Sequence, residues 1–75
     1  MSHKLTIDSA HEYVLNHLTN LGYEDVVILR STEGKEYGVE VMDVWFTYRT
    51  MDGQTSPVHN FTVWINEDGK LYGEW

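Results

Sequence analysis

Histidine, carboxylate and tryptophan are the side chains through which this chain could do chemistry. It has four histidines, twelve acidic residues and three tryptophans in 75 positions. His11-Glu12 begins the zinc-protease pattern, which needs a second histidine four residues after the first so that both project from one side of a helix. Position 15 is Leu15, so the pattern is broken. His17 follows His11 by six residues, a rotation of about 240° on an ideal helix, which puts the two on different faces. His3 lies ahead of the first expected element and His59 opens a strand. No metal site and no cofactor are expected from this spacing.

Asn66-Glu67-Asp68-Gly69 has the look of the middle of a calcium loop. Such a loop requires an oxygen ligand five residues before its glycine and a glutamate six after it. Trp64 and Trp75 occupy those places, so the segment reads as a hairpin turn. Nucleophilic catalysis lacks its parts: there is no cysteine, Ser9 reads as a helix cap, and Ser31 and Ser56 sit beside turns without a base near them in sequence. Phosphate cradles need glycines ahead of a helix, whereas here all six glycines lie at or after the end of the expected helix. No catalytic residue is assigned, and the domain is expected not to be an enzyme.

Five basic against twelve acidic residues give a net charge of −7. That balance disfavours a grip on nucleic-acid phosphates, which needs a basic patch. It suits a soluble domain, a basic protein partner, or an acidic mimic of nucleic acid that inhibits a DNA- or RNA-binding protein. The absence of cysteine removes disulfides and thiolate metal sites. Met1-Ser2-His3-Lys4-Leu5-Thr6 lacks the apolar run of a signal peptide, and no stretch is long and apolar enough to span a membrane. A cytoplasmic location is therefore expected.

These side chains need a scaffold, and residues 1–75 read as a single domain. At this size folding buries only about 60% of the chain's surface. A helix is expected over about 8–21. Ser9 and Glu12 would form its capping box, Ile7 would staple over Tyr13, and Gly22 would end it. Ala10, Val14, Leu18 and Leu21 form its apolar stripe. Strands are expected at about 25–31, 36–50, 58–66 and 70–75. Glu33-Gly34 is the expected first hairpin turn, which sets Ile28 opposite Val39 and Val26 opposite Val41. The apolar phase of the second strand is odd at Tyr37, Val39 and Val41, then even at Val44, Phe46 and Tyr48. That switch predicts a β-bulge or break near 42–43. Asp-Gly at 52–53 and a loop at Glu67-Asp68-Gly69 supply the remaining turns. The last hairpin then pairs Ile65 with Leu71, Trp64 with Tyr72 and Phe61 with Trp75.

The expected fold is α+β: a single N-terminal helix packed on one face of a four-stranded antiparallel β-meander. The helix would cover Val26, Ile28, Val39, Val41, Phe46, Val63, Ile65 and Leu71. A helix covers one face of a sheet only. The strand pair around Val44–Tyr48 and Phe61–Ile65 carries large side chains in both phases. Trp45, Trp64 and Tyr72 therefore fall on an uncovered face, edged by Thr47, Arg49, Thr62 and Glu74. Tryptophan and tyrosine on an open surface point to a protein interface, and Val27 and Leu29 would extend it. The leading expectation is a small acidic, non-enzymatic protein-binding domain, an inhibitor or regulator, docking a partner or a second copy through this face. Arg49 and Glu74 would form its polar rim. The alternative is a small-ligand binder or enzyme with a pocket between helix and sheet, built on Asp43, His59 and Tyr48. In topology alone, the helix-then-meander order is similar to cystatin-like and PepSY-type domains, a resemblance that implies binding or inhibition of other proteins.

Overall fold

The computed structural model describes residues 5–75; His3 lies outside them. Helix α1 spans Ile7–Asn20. Its capping box is Thr6 with Ser9: the Thr6 hydroxyl accepts from the Ser9 amide at 3.1 Å, and the Ser9 hydroxyl accepts from the Thr6 amide at 2.9 Å. This corrects the expected Ser9–Glu12 box by one turn. A serine hydroxyl returns the bond in place of a glutamate, and Leu5, just before the cap, packs on the core where Ile7 was expected to. Ile7 is exposed. At the other end Gly22 takes a φ of 95°. The Gly22 amide donates to the Thr19 carbonyl at 3.0 Å and the Tyr23 amide to the Leu18 carbonyl at 3.1 Å. That pair of bonds is a Schellman stop. Leu21, expected on the apolar stripe, is the C-cap and is exposed.

The sheet is antiparallel with strands in chain order: β1 (Glu24–Glu36), β2 (Val39–Arg49), β3 (His59–Ile65) and β4 (Leu71–Glu74). The α+β architecture is as expected from the sequence. The last hairpin also keeps its expected register, with Ile65 opposite Leu71 and Trp64 opposite Tyr72. Gly69 stands at φ 78°, and its amide closes the turn onto the Asn66 carbonyl at 2.9 Å.

The first hairpin does not keep its expected register. It turns at Tyr37-Gly38, with φ of 52° and 78°, so that Glu36 faces Val39 and Gly34 faces Val41. Two consecutive positive φ values make a type I′ turn, whose twist matches the strands it joins. Ile28 consequently lies opposite Phe46, well away from Val39. The expected irregularity near 42–43 is absent, because Val41 to Phe46 pair without a break with Trp64 to His59. The register shifts fall in β1, between Glu24 and Val27 and between Ile28 and Arg30. The reason lies in position within the sheet. β2 is central, so a bulge there would interrupt two ladders, whereas edge strand β1 sacrifices only one. The bulge around Leu29 also reverses which face each later β1 residue serves.

The core lies between α1 and the sheet. Ala10, Val14 and Leu18 of the helix pack with Met42, Val44 and Phe46 of β2 and with Phe61 and Val63 of β3. Met42 and Val44 thus take the places expected for Val39 and Val41, which the continuous alternation of β2 sends to the opposite face. Complete burial of the valine, leucine, methionine and phenylalanine side chains among these stabilises by roughly 1.5–3 kcal/mol each. Past Ile28 the helix-side positions of β1 become polar. His11 reaches one of them, with Nε2 2.9 Å from the Ser31 hydroxyl. At the far end of β2, buried Ser56 latches the loop onto the strand. Its hydroxyl accepts from the Tyr48 amide at 3.0 Å and its own amide donates to the Tyr48 carbonyl at 2.8 Å.

Candidate functional site

Odd-numbered residues of β2 and even-numbered residues of β3 and β4 point away from α1. Trp45, Trp64 and Tyr72 therefore share the open face with Thr47, Arg49, Thr62 and Glu74, as register requires. They do not form one continuous aromatic surface. Trp64 pairs with Val41 and Trp45 lies beside Asn60; between them the Asp43–Thr62 pair crosses the face. The Thr62 hydroxyl donates to Asp43 Oδ1 at 2.9 Å. Asp43 is thereby a half-buried acid with a bound hydroxyl, set between two tryptophans.

The two halves differ in what covers them. Over Trp45 lies the Arg30 guanidinium, 4.4 Å from the ring centroid, a cation–π contact brought into line by the β1 bulge. Val27, 53% exposed, lies beside this half opposite Thr47, and Leu29 is exposed at the bulge. Arg49 is committed elsewhere, to Glu24 at 2.6 Å and Asp25 at 3.0 Å. Its hydrogen bond to Glu24 and then the charge of Asp25 raise its pKa further. It does not meet Glu74, which pairs with Thr62 opposite Asp43. Six residues of β2 separate the two positions, about 20 Å at strand rise. The expected Arg49–Glu74 rim is therefore not assembled.

Around Trp64 the face is open. A shallow groove of about 400 Å³ is lined by exposed Val39, half-buried Trp64 and the buried Val41 between them, together with the exposed Glu36, Glu67 and Glu74. Tyr37, fully exposed in the type I′ turn, stands at its end. Tyr72 points toward the adjoining loop, where its hydroxyl donates to Asp68 Oδ2 at 3.1 Å. The Lys70 amide also donates to Asp68, at 3.0 Å. The backbone donor chiefly, and Tyr72 after it, hold the Asp68 carboxyl below its ordinary range, while Asp68 pushes the Tyr72 phenol up.

The residues of the alternative pocket do not converge. Asp43 is on the open face, whereas His59 and Tyr48 lie on the helix side. His59 sits among rings, 5.7 Å from Phe46, 5.5 Å from Tyr48 and 5.3 Å from Trp75. Its Nε2 is buried with no hydrogen-bond partner. Among the described residues no group of three or more histidines and acids is placed to hold a metal ion, and no helix is long and apolar enough to cross a membrane.

The sequence reading missed Glu36, Tyr37, Val39, Val41 and Glu67 as residues of the open face. The signal was present. Val39, Val41, Asp43, Trp45 and Thr47 form one unbroken odd series, and Tyr37-Gly38 is a two-residue turn in front of it. Compared with known families, curated proteins and solved structures, the chain matches none. Any functional reading therefore rests on this geometry.

Proposed function

We propose that this domain is a non-enzymatic protein-binding module, an inhibitor or regulator, that docks its partner through the open sheet face at the Trp64 end. The observation that carries the reading is the asymmetry of the sheet. One face is closed by α1, while the other keeps Val39, Val41 and Trp64 in a groove that no described element of the chain covers. Apolar surface gathered in a concave, polar-rimmed patch is what interfaces use. Trp64 supplies the large, rigid ring typical of a binding hot spot.

The test is light scattering coupled to size exclusion on the wild type and a Trp45→Ser/Trp64→Ser variant, with circular dichroism as the check on folding. The reading expects a monomeric wild type and a folded, monomeric variant that no longer retains partners the wild type captures. A wild-type dimer that the variant dissolves would make the face a self-association surface. An unfolded variant would assign both tryptophans to the core and overturn the reading.

A further inference from the structure

Resting on that docking reading, we infer that the groove accepts a cationic segment of a partner protein, with an apolar side chain over Trp64 flanked by lysine or arginine. Charge complementarity carries the inference. Three carboxylates, Glu36, Glu67 and Glu74, border the groove, and no basic residue lines it. Among the described residues none of the three is in an ion pair; the salt bridges join Arg49 to Glu24 and Asp25. The nearby acids of this face are already engaged, Asp43 by Thr62 and Asp68 by Lys70 and Tyr72. The three glutamates therefore stay available to an incoming cation.

Three unpaired carboxylates around an apolar floor repel an acidic segment. A lysine or arginine stem can lie along the valines and tryptophan while its head reaches a glutamate. Fully exposed Tyr37 at one end adds a ring over which a guanidinium can stack. The same charges argue against a second copy as occupant. In a two-fold dimer the patch meets itself, so each glutamate margin would face another, in a chain already carrying a net charge of −7. Attraction of this kind acts mainly on encounter rate and selectivity, and it weakens with salt.

The experiment is amide chemical-shift mapping of the ¹⁵N-labelled protein titrated with three capped peptides. Each has two central leucines, flanked on both sides by lysines, by serines or by glutamates. The inference expects the lysine peptide alone to shift the amides of Val39, Val41 and Ile65 and the Trp64 indole in a saturable way. A Glu36→Gln/Glu67→Gln/Glu74→Gln variant, folded by its own spectrum, should bind about tenfold or more weakly, and the wild type should lose affinity similarly at about 0.5 M salt. If the serine or glutamate peptide binds these residues as well as the lysine peptide does, the cationic assignment falls and the docking face stands. If every peptide leaves them unshifted, or shifts only the α1 side, the assignment and the docking reading fall together. Concentration-dependent shifts of the same amides without peptide would give the groove to a second copy and overturn the inference.

Discussion

The two faces of the sheet are built from the same strands and yet obey different rules, and two glycines show the difference best. Gly73 of β4 lies on the helix side. A Cβ there would stand 2.4 Å from the Phe61 ring, 2.9 Å from the Thr62 carbonyl oxygen and 3.0 Å from the Tyr13 ring. Gly34 of β1 lies on the open side. There a Cβ would meet Val41 Cγ2 at 3.8 Å and Asp43 Oδ2 at 4.0 Å, both ordinary contacts. The covered face is full to the width of a methyl group, in keeping with close-packed interiors. The open face still has room.

The largest effect that tests this contrast is therefore a matched pair of substitutions. Gly73→Ala should destabilise by about 1–3 kcal/mol, because a backbone oxygen and two packed rings must move to admit the methyl group. Gly34→Ala should be neutral or stabilise by about 0.5 kcal/mol, through the lower entropy of its unfolded chain. Urea unfolding followed by circular dichroism reads both changes. A 75-residue domain has only roughly 4–11 kcal/mol of stability to lose, so the first shift is large on that scale. Equal midpoints for the two variants would break the contrast between the faces.

The same contrast explains what the sequence could disclose. Local signals wrote the helix and the last hairpin: Gly22 and Gly69 each take the positive φ that their turns need, and the Ile65–Leu71 pairing follows from a three-residue loop. The first hairpin was obscured because two arrangements satisfy its pattern. A turn at Glu33-Gly34 aligns Ile28 with Val39 and Val26 with Val41, and it looks consistent until the bulge in β1 is known. Nothing in Val26-Val27-Ile28-Leu29 marks Leu29 as the surplus residue. The choice is made by tertiary structure, since Phe46 must reach the core beneath α1 while central strand β2 keeps both ladders. Placing the irregularity in the wrong strand is what hid Val39 and Val41 from the open face. The aromatic pairing of Trp64 with Tyr72 was legible, but the groove beside Trp64 was not.

A smaller effect tests the division of the open face into two halves. Arg30 covers Trp45 and leaves Trp64 uncovered. Arg30→Ala should cost about 0.5–1 kcal/mol, the worth of an exposed cation–π contact, and should shift the Trp45 indole resonance while leaving that of Trp64 in place. Shifts of equal size at both rings would mean that the two halves respond as one surface, and the Asp43–Thr62 crossing would not divide them.

The smallest effect concerns pH and separates acids that are engaged from acids that are free. Asp68 is exposed, but it accepts from the Lys70 amide and the Tyr72 hydroxyl, which lowers its carboxyl pKa. The sign follows from linkage: a depressed folded-state pKa adds stability above the ordinary aspartate range, and that stability is lost as pH falls through the lowered value. Full exposure keeps the contribution small. Side-chain carboxyl shifts followed by NMR should place the Asp68 midpoint below the ordinary range. In Asp68→Asn the Tyr72 phenol, which Asp68 now pushes up, should titrate closer to the usual tyrosine value. An unchanged Tyr72 in that variant would mean that the loop does not hold the ring. Asp68 would then be held by the Lys70 amide alone.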